Sequence, residues 1–193
     1  MLASKYFNKN MRSWIGNLLF LGLLLLLLFN PSAKAWLLQQ LLAVGLFKAE
    51  IKKEAPAINT PAFSFRNERG EVVSTSDLEG RVVFINFWAT WCPPCRAEMP
   101  ALQELYKQFA SDNRIVFLFL SEDEDLEKAK TYWQKNRFTM PLLSVSGNVP
   151  VEIYSGTLPT TVVLNKEGKI VFKQEGIARY NTTAFYEQLR SLL

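Results

Sequence analysis

The run Val82-Val83-Phe84-Ile85-Asn86-Phe87-Trp88, followed four residues later by Cys92-Pro93-Pro94-Cys95, restricts the fold more than any other stretch of this chain. Seven residues with a single polar member cannot alternate between a wet and a dry face. They predict a strand covered on both sides, at the centre of a sheet. Pro93 and Pro94 suit the first turn of a helix, where a missing amide hydrogen leaves no bond unmade. From about Pro94 to Ala110, apolar residues at Leu102, Leu105, Tyr106 and Phe109 keep helical spacing. The chain passes from a buried strand directly into a helix, with two thiols at the junction.

That placement has chemical consequences. Disulfide exchange needs an accessible thiolate and a second thiol that resolves the mixed disulfide. An ordinary cysteine, with a pKa of about 8.5, is mostly protonated at neutral pH, and a helix N-terminus favours its anion. Cys92 is therefore the expected nucleophile. Cys95, three residues on and turned inward, is the expected resolving thiol. Trp91 is expected as an exposed ring beside Cys92, adding contact area for partners. The chain has only these two cysteines and no histidine. Ser-His and Cys-His catalytic pairs are thereby excluded, and four zinc ligands cannot be assembled, so neither a metal site nor a cofactor is expected.

The remainder of the body alternates strands and helices. Phe63–Val73 reads as a short hairpin around Gly70, residues 76–80 as a loop, and Ile115–Leu120 as a second buried strand. Leu126–Asn136 has helical spacing, and residues 138–156 break into short apolar pieces and turns. Thr161–Leu164 and Lys169–Lys173 form a hairpin around Asn165–Gly168. Thr183–Leu193 is a final helix, with Thr183 and Glu187 near capping-box spacing. Such alternation implies an α/β layer fold with helices on both sheet faces. The run Glu122–Asp125 reads as a solvated helix start.

The first 49 residues are different in kind. Lys5, Lys9 and Arg12 precede an apolar run from Trp14 to Phe29, the arrangement of an export signal or signal-anchor. Sixteen helical residues span roughly 24 Å, a little short of a hydrocarbon core of about 30 Å. Trp36–Phe47 is too apolar for a free tail, and either lengthens the membrane segment past Pro31 or lies in the interface. The expectation is a single-pass anchor over 1–49, a linker over 50–60, and a body over 61–193 on the extracytoplasmic, periplasmic side of the cytoplasmic membrane. Cleavage after Ala35, at Ser32-Ala33-Lys34-Ala35, is the alternative and would leave a secreted or periplasmic protein. Residues 1–50 carry five bases against one acid, and the remaining seventeen bases are matched by seventeen acids. The positive charge thus belongs to the leader, and no nucleic-acid partner is expected.

Phe87-Trp88-Ala89-Thr90-Trp91-Cys92-Pro93-Pro94-Cys95-Arg96-Ala97-Glu98-Met99-Pro100, together with Thr157-Leu158-Pro159-Thr160, resembles the thioredoxin superfamily and, within it, the exported TlpA/ResA-like thiol–disulfide oxidoreductases. The resemblance covers about residues 58–193. It implies a thioredoxin-like three-layer α/β fold: a central mixed sheet, helices on both faces, a C-terminal hairpin and helix. It implies that Pro159 is cis and, with Leu158 and Thr160, forms a substrate-binding wall beside the cysteines. It implies an extra helix and strand within Glu122–Asn148, and a proton-transfer role for Glu98. Asn86 stands where thioredoxins proper carry a buried aspartate, and an amide cannot take up a proton at neutral pH. The implied activity is reduction of disulfide-bearing protein substrates by the Cys92/Cys95 dithiol, itself re-reduced by a membrane thiol electron donor, in cytochrome c maturation or related redox work. Two other readings stay open: a peroxiredoxin-type thiol peroxidase, and a Cu(I)-binding chaperone holding the metal between the two thiolates.

Overall fold

The computed structural model describes residues 2–51 and 58–193. Of the linker expected over 50–60, residues 52–57 lie outside the described residues.

Strand β3 (Val82–Trp88) is buried along its whole length, as its apolar run predicts. It pairs in parallel with β4 (Ile115–Ser121), which pairs in parallel with β5 (Leu142–Ser146). On its other side β3 pairs antiparallel with β6 (Thr160–Leu164), which turns into β7 (Ile170–Glu175). The hairpin β1 (Ser64–Arg66) and β2 (Val72–Ser74) joins through β1 to β5, giving a mixed seven-stranded sheet in the order β2-β1-β5-β4-β3-β6-β7.

Helices α3 (Pro93–Phe109), α4 (Leu126–Asn136) and α5 (Thr183–Arg190) all pack on one face of this sheet. Met99, Leu102, Trp133, Phe185 and Leu189 meet Val82, Phe84, Trp88, Phe117 and Phe119 there. The opposite face, with Val83, Ile85 and Phe87, is covered by a 3-10 turn (Thr75–Leu78) and by Ile153 and Tyr154, whose ring stacks on Phe87 at 4.4 Å. The expectation of α-helices on both faces is therefore corrected. The crossovers β3-α3-β4 and β4-α4-β5 step in the same direction, and right-handed connections then place both helices on one side. Gly147, Pro150 and Gly156 keep the segment before β6 from forming a helix on the other side.

Two local details also differ. Residues 75–78 form a capped 3-10 turn where a loop was expected, because Ser74 and Asp77 make a capping box. Helix α5 is capped by Thr182, whose hydroxyl accepts from Phe185 N at 3.2 Å, so Thr183 is the first helical residue and Glu187 does not close a box.

The N-terminal segment folds as α1 (Leu2–Phe29) and α2 (Pro31–Ala43), bent by 94° at Asn30. No single described helix is long and apolar enough to cross a membrane, although Trp14–Phe29 and Pro31–Ala43 together meet that requirement by length and composition. Helix α2 docks on the outer side of α3 through Ala35 and Leu42, both buried. Residues 48–51 are stitched to the body: Lys48 bridges Arg179, and Ile51 N donates to Gln188 Oε1 at 2.8 Å. Ile58 pairs with Ile170, so the folded body extends N-terminal to residue 61.

Candidate active site

The site forms where β3 ends. Cys92 is the N-cap of α3, with extended backbone (φ −92°, ψ 103°), and its Sγ accepts from Cys95 N at 3.2 Å. Pro93 and Pro94 occupy the first two helical positions, where their missing amides cost no bond. Cys92 and Cys95 are joined as a disulfide. In this oxidised form Cys95 is fully buried and Cys92 is 4% exposed, while Trp91 stands 63% exposed beside it. The edge of Cys92 and the Trp91 ring are thus the parts of this junction open to solvent.

The β3–β6 register sets Phe87 opposite Thr160, which carries Leu158-Pro159-Thr160 to the end of β3 that leads into the cysteines. The Leu158–Pro159 bond is cis. Leu158 is half-buried and packs against the cluster that contains both cysteines. Pro159 is buried and its carbonyl accepts from Gly176 N at 2.8 Å. Thr160 is buried too, and its hydroxyl donates to Thr157 O at 2.7 Å. The Thr160 side chain thus shapes the turn, and Thr157 and Leu158 are the members of the motif that present surface.

Glu98 is fully buried, on the face of α3 directed at the sheet. Its Oε1 accepts from Asn86 Nδ2 at 2.9 Å and its Oε2 from Ala178 N at 3.3 Å. Asn86 Nδ2 also donates to Thr161 Oγ1 at 2.9 Å, while Asn86 Oδ1 has no partner among the described residues. Burial raises the Glu98 pKa to about 8, against the opposing effect of those two hydrogen bonds. Two donors offset only part of the cost of removing a carboxylate from water. Nearby, Tyr180 is buried with no partner for its hydroxyl among the described residues, and burial followed by the Glu98 charge pushes its pKa well above 10. Glu98 is thus a buried carboxyl rather than a solvated one. Asn86 bonds it directly.

Sequence reasoning missed a second carboxylate. Asp123, expected as part of a solvated helix start, accepts from Thr90 N (3.0 Å), Thr90 Oγ1 (2.6 Å) and Ser121 Oγ (2.9 Å). It fastens the turn Ala89–Trp91 to the end of β4. Its neighbour Asp125 does serve as the N-cap of α4. The only available signal was position, an acidic run directly after a predicted buried strand. Beside the turn, a groove of about 540 Å³ runs past Thr90, Arg96, Asp125, Lys128 and Tyr132, with the Arg96 guanidinium 5.3 Å over the Tyr132 ring. Among the described residues no cluster of metal-ligating side chains occurs.

A strand running into a helix capped by a disulfide-forming Cys pair, facing a cis-proline turn, defines a thioredoxin-like protein. The chain belongs to the AhpC/TSA family, whose model matches residues 51–173. It is 35% identical over 127 residues to the thiol-disulfide oxidoreductase ResA of Bacillus cereus, covering 65% of this chain and 70% of that one. The ResA of Bacillus anthracis is 33% identical over 155 residues, 80% of this chain and 85% of the relative. A thiol:disulfide interchange protein from a Bacteroides species superposes with a TM-score of 0.58 at 25% identity, covering 71% of this chain and 89% of that one. A thioredoxin family protein from Chlorobium tepidum gives 0.58 at 24% identity, covering 72% and 98%.

Proposed function

We propose that this thiol:disulfide oxidoreductase is tethered to the cytoplasmic membrane, faces its extracytoplasmic side, and reduces protein disulfides, with cytochrome c maturation as its setting. The observation that carries the chemistry is Cys92 at the N-cap of α3 with its sulfur accepting the Cys95 amide. That amide and the helix dipole stabilise a thiolate at Cys92. The Cys92 thiolate attacks one sulfur of a substrate disulfide, forming a mixed disulfide and expelling the first substrate thiolate. Cys95, once deprotonated, attacks Cys92 Sγ, forms the Cys92–Cys95 bond and releases the second thiolate. Two electrons pass to the substrate, and a membrane thiol donor returns them by the reverse exchange.

Glu98 supports this reading as the proton acceptor for Cys95. The two lie three residues apart on one helix, and burial lifts the Glu98 pKa to about 8, where a carboxylate becomes basic enough to take a thiol proton. Asn86 holds that carboxyl in place. Trp91 and Leu158 supply the surface on which an extended substrate segment docks.

The test is mixed-disulfide trapping by the full-length protein in detergent micelles with a disulfide-bearing protein. Cys95→Ser is expected to accumulate the mixed disulfide, while Cys92→Ser gives none. Equal trapping by both variants would refute the assignment. The direction of electron flow is read from the equilibrium with glutathione, and a potential near the roughly −120 mV of strong oxidants would rule out a reductant. Catalytic consumption of hydrogen peroxide would favour a thiol peroxidase instead.

A further inference from the structure

We propose that α2 is a membrane-surface helix: its outer face lies in the outer headgroup layer of the bilayer and holds the Cys92 end of α3 at the membrane. This rests on the tethered reading above and names what the tether does for the site.

The first observation is that α2 is apolar on two opposite faces. Ala35, Leu38 and Leu42 recur at helical spacing on the side turned to α3, with Gln39 beside them. On the other side Trp36 is 61% exposed and Val44 76%, with Leu37 and Leu41 between them and Phe47, 53% exposed, just beyond the helix. Gln39 and Gln40 apart, both faces are apolar and call for cover, and the domain provides it on one side only.

The second is the built bend. Asn30 is the single residue between α1 and α2, and its Oδ1 accepts from Ser32 N (2.9 Å) and Ala33 N (3.1 Å), starting α2 afresh at 94° to α1. If α1 runs along the bilayer normal, α2 lies in the membrane plane. The apolar part of α1, roughly 24 Å long, is shorter than a hydrocarbon core of about 30 Å, which draws its end, and α2 with it, down to the interface. Trp36, and the exposed Lys34 and Lys48, are residue types that favour this layer, the lysines by complementing anionic lipid.

The third is that α2 is fixed to the domain at both ends. Arg96 Nη2 donates to Ser32 Oγ at 2.9 Å. Arg179 Nη1 donates to Ala43 O at 3.0 Å, and Arg179 N to Phe47 O at 2.7 Å. Ser32 therefore sits beside the first turns of α3, and Ala43 farther along it, near Glu104. The exit of α1 falls at the redox end. Cys92 is four residues from Arg96, about 6 Å along the helix axis. The substrate disulfides that fit are those within short reach of the bilayer surface, on membrane-attached or membrane-inserted partners.

The experiment reads the depth of Trp36 in the full-length chain, reconstituted in vesicles of equimolar phosphatidylcholine and phosphatidylglycerol. The phosphatidylcholine is brominated either near the glycerol end or near the methyl end of its acyl chains. The Trp36 emission is the difference between the protein and Trp36→Phe, a substitution that keeps the apolar face. Quenching of about half of that emission by the shallow label, and clearly less by the deep one, is expected. A chain that resists alkaline carbonate extraction yet leaves Trp36 unquenched overturns the placement of α2 while the tether stands. If that chain also self-associates, the outer face belongs to a second copy. A chain released by carbonate overturns the tether, and the placement of α2 with it.

Discussion

At Glu98, burial and two hydrogen bonds pull in opposite directions, and burial wins. The sign of the resulting pH effect follows. With a native pKa of about 8 against an ordinary 4.5, the folded protein retains a proton that the unfolded chain releases, so stability falls as pH rises from about 4.5 to 8 and then levels off. The fall is on the order of 5 kcal/mol. In urea titrations of the oxidised protein, Glu98→Gln is expected to flatten this slope, since the amide has no proton to lose. In disulfide turnover the same variant should slow resolution by roughly 10- to 100-fold and remove the rise in rate near pH 8, with Cys92 attack unchanged. Asp123 acts differently, by holding a turn. Replacing it with Ala leaves the Thr90 amide and hydroxyl and the Ser121 hydroxyl short of an acceptor, and about 2 kcal/mol of stability is expected to be lost, read from the urea midpoint. Cys92 and Cys95 were legible in the sequence as types at a spacing. Asp123 was not, because its partners come from the end of β3 and the end of β4, which only meet through the sheet.

At the scale of elements, the strand–helix junction, α3 and α4 were legible because their apolar periods are strong and their caps lie in the same stretch of chain. Helix α5 starts at Thr183 as read, but its cap was read one residue late. Thr182 and Thr183 are both competent caps, and the choice between them depends on how β7 and the following loop deliver the chain to the core, where Phe185 and Leu189 are buried. Thr182→Ala is expected to cost about 1 kcal/mol by urea unfolding, whereas Thr183→Ala costs little. Helix α2 was the least legible element. Its composition allowed a membrane extension or an interfacial helix, and neither reading foresaw that one face is buried on α3. Leu42→Ala removes the larger of its two buried side chains. Faster amide exchange along α2, with exchange in β3 unchanged, is the expected result.

For the whole molecule, α2 and residues 48–51 pack with the body as one unit. Ala49 and Ile51 belong to the same core cluster as Cys92 and Cys95. A chain starting at Ile58 is therefore expected to lose roughly 3–5 kcal/mol relative to the full-length protein, from exposure of the surfaces now covered by Leu42, Ala49 and Ile51. Equal urea midpoints would contradict this. The sequence by itself determined the junction of β3 and α3, the dithiol, the lack of any histidine, and the partition of charge between the N-terminal segment and the body. These depend on residue types and short spacings, which local physics makes decisive. Tertiary structure alone decided that all three body helices share one sheet face, because handed crossovers depend on strand order. It alone set Glu98 beside Asn86 and Thr161, and Asp123 beneath Thr90, because a carboxylate becomes a buried acid or a clamp only through groups distant in the chain. It alone brought α2 alongside the helix that carries the cysteines, because a helix apolar on two faces records that it must be covered, and not by what.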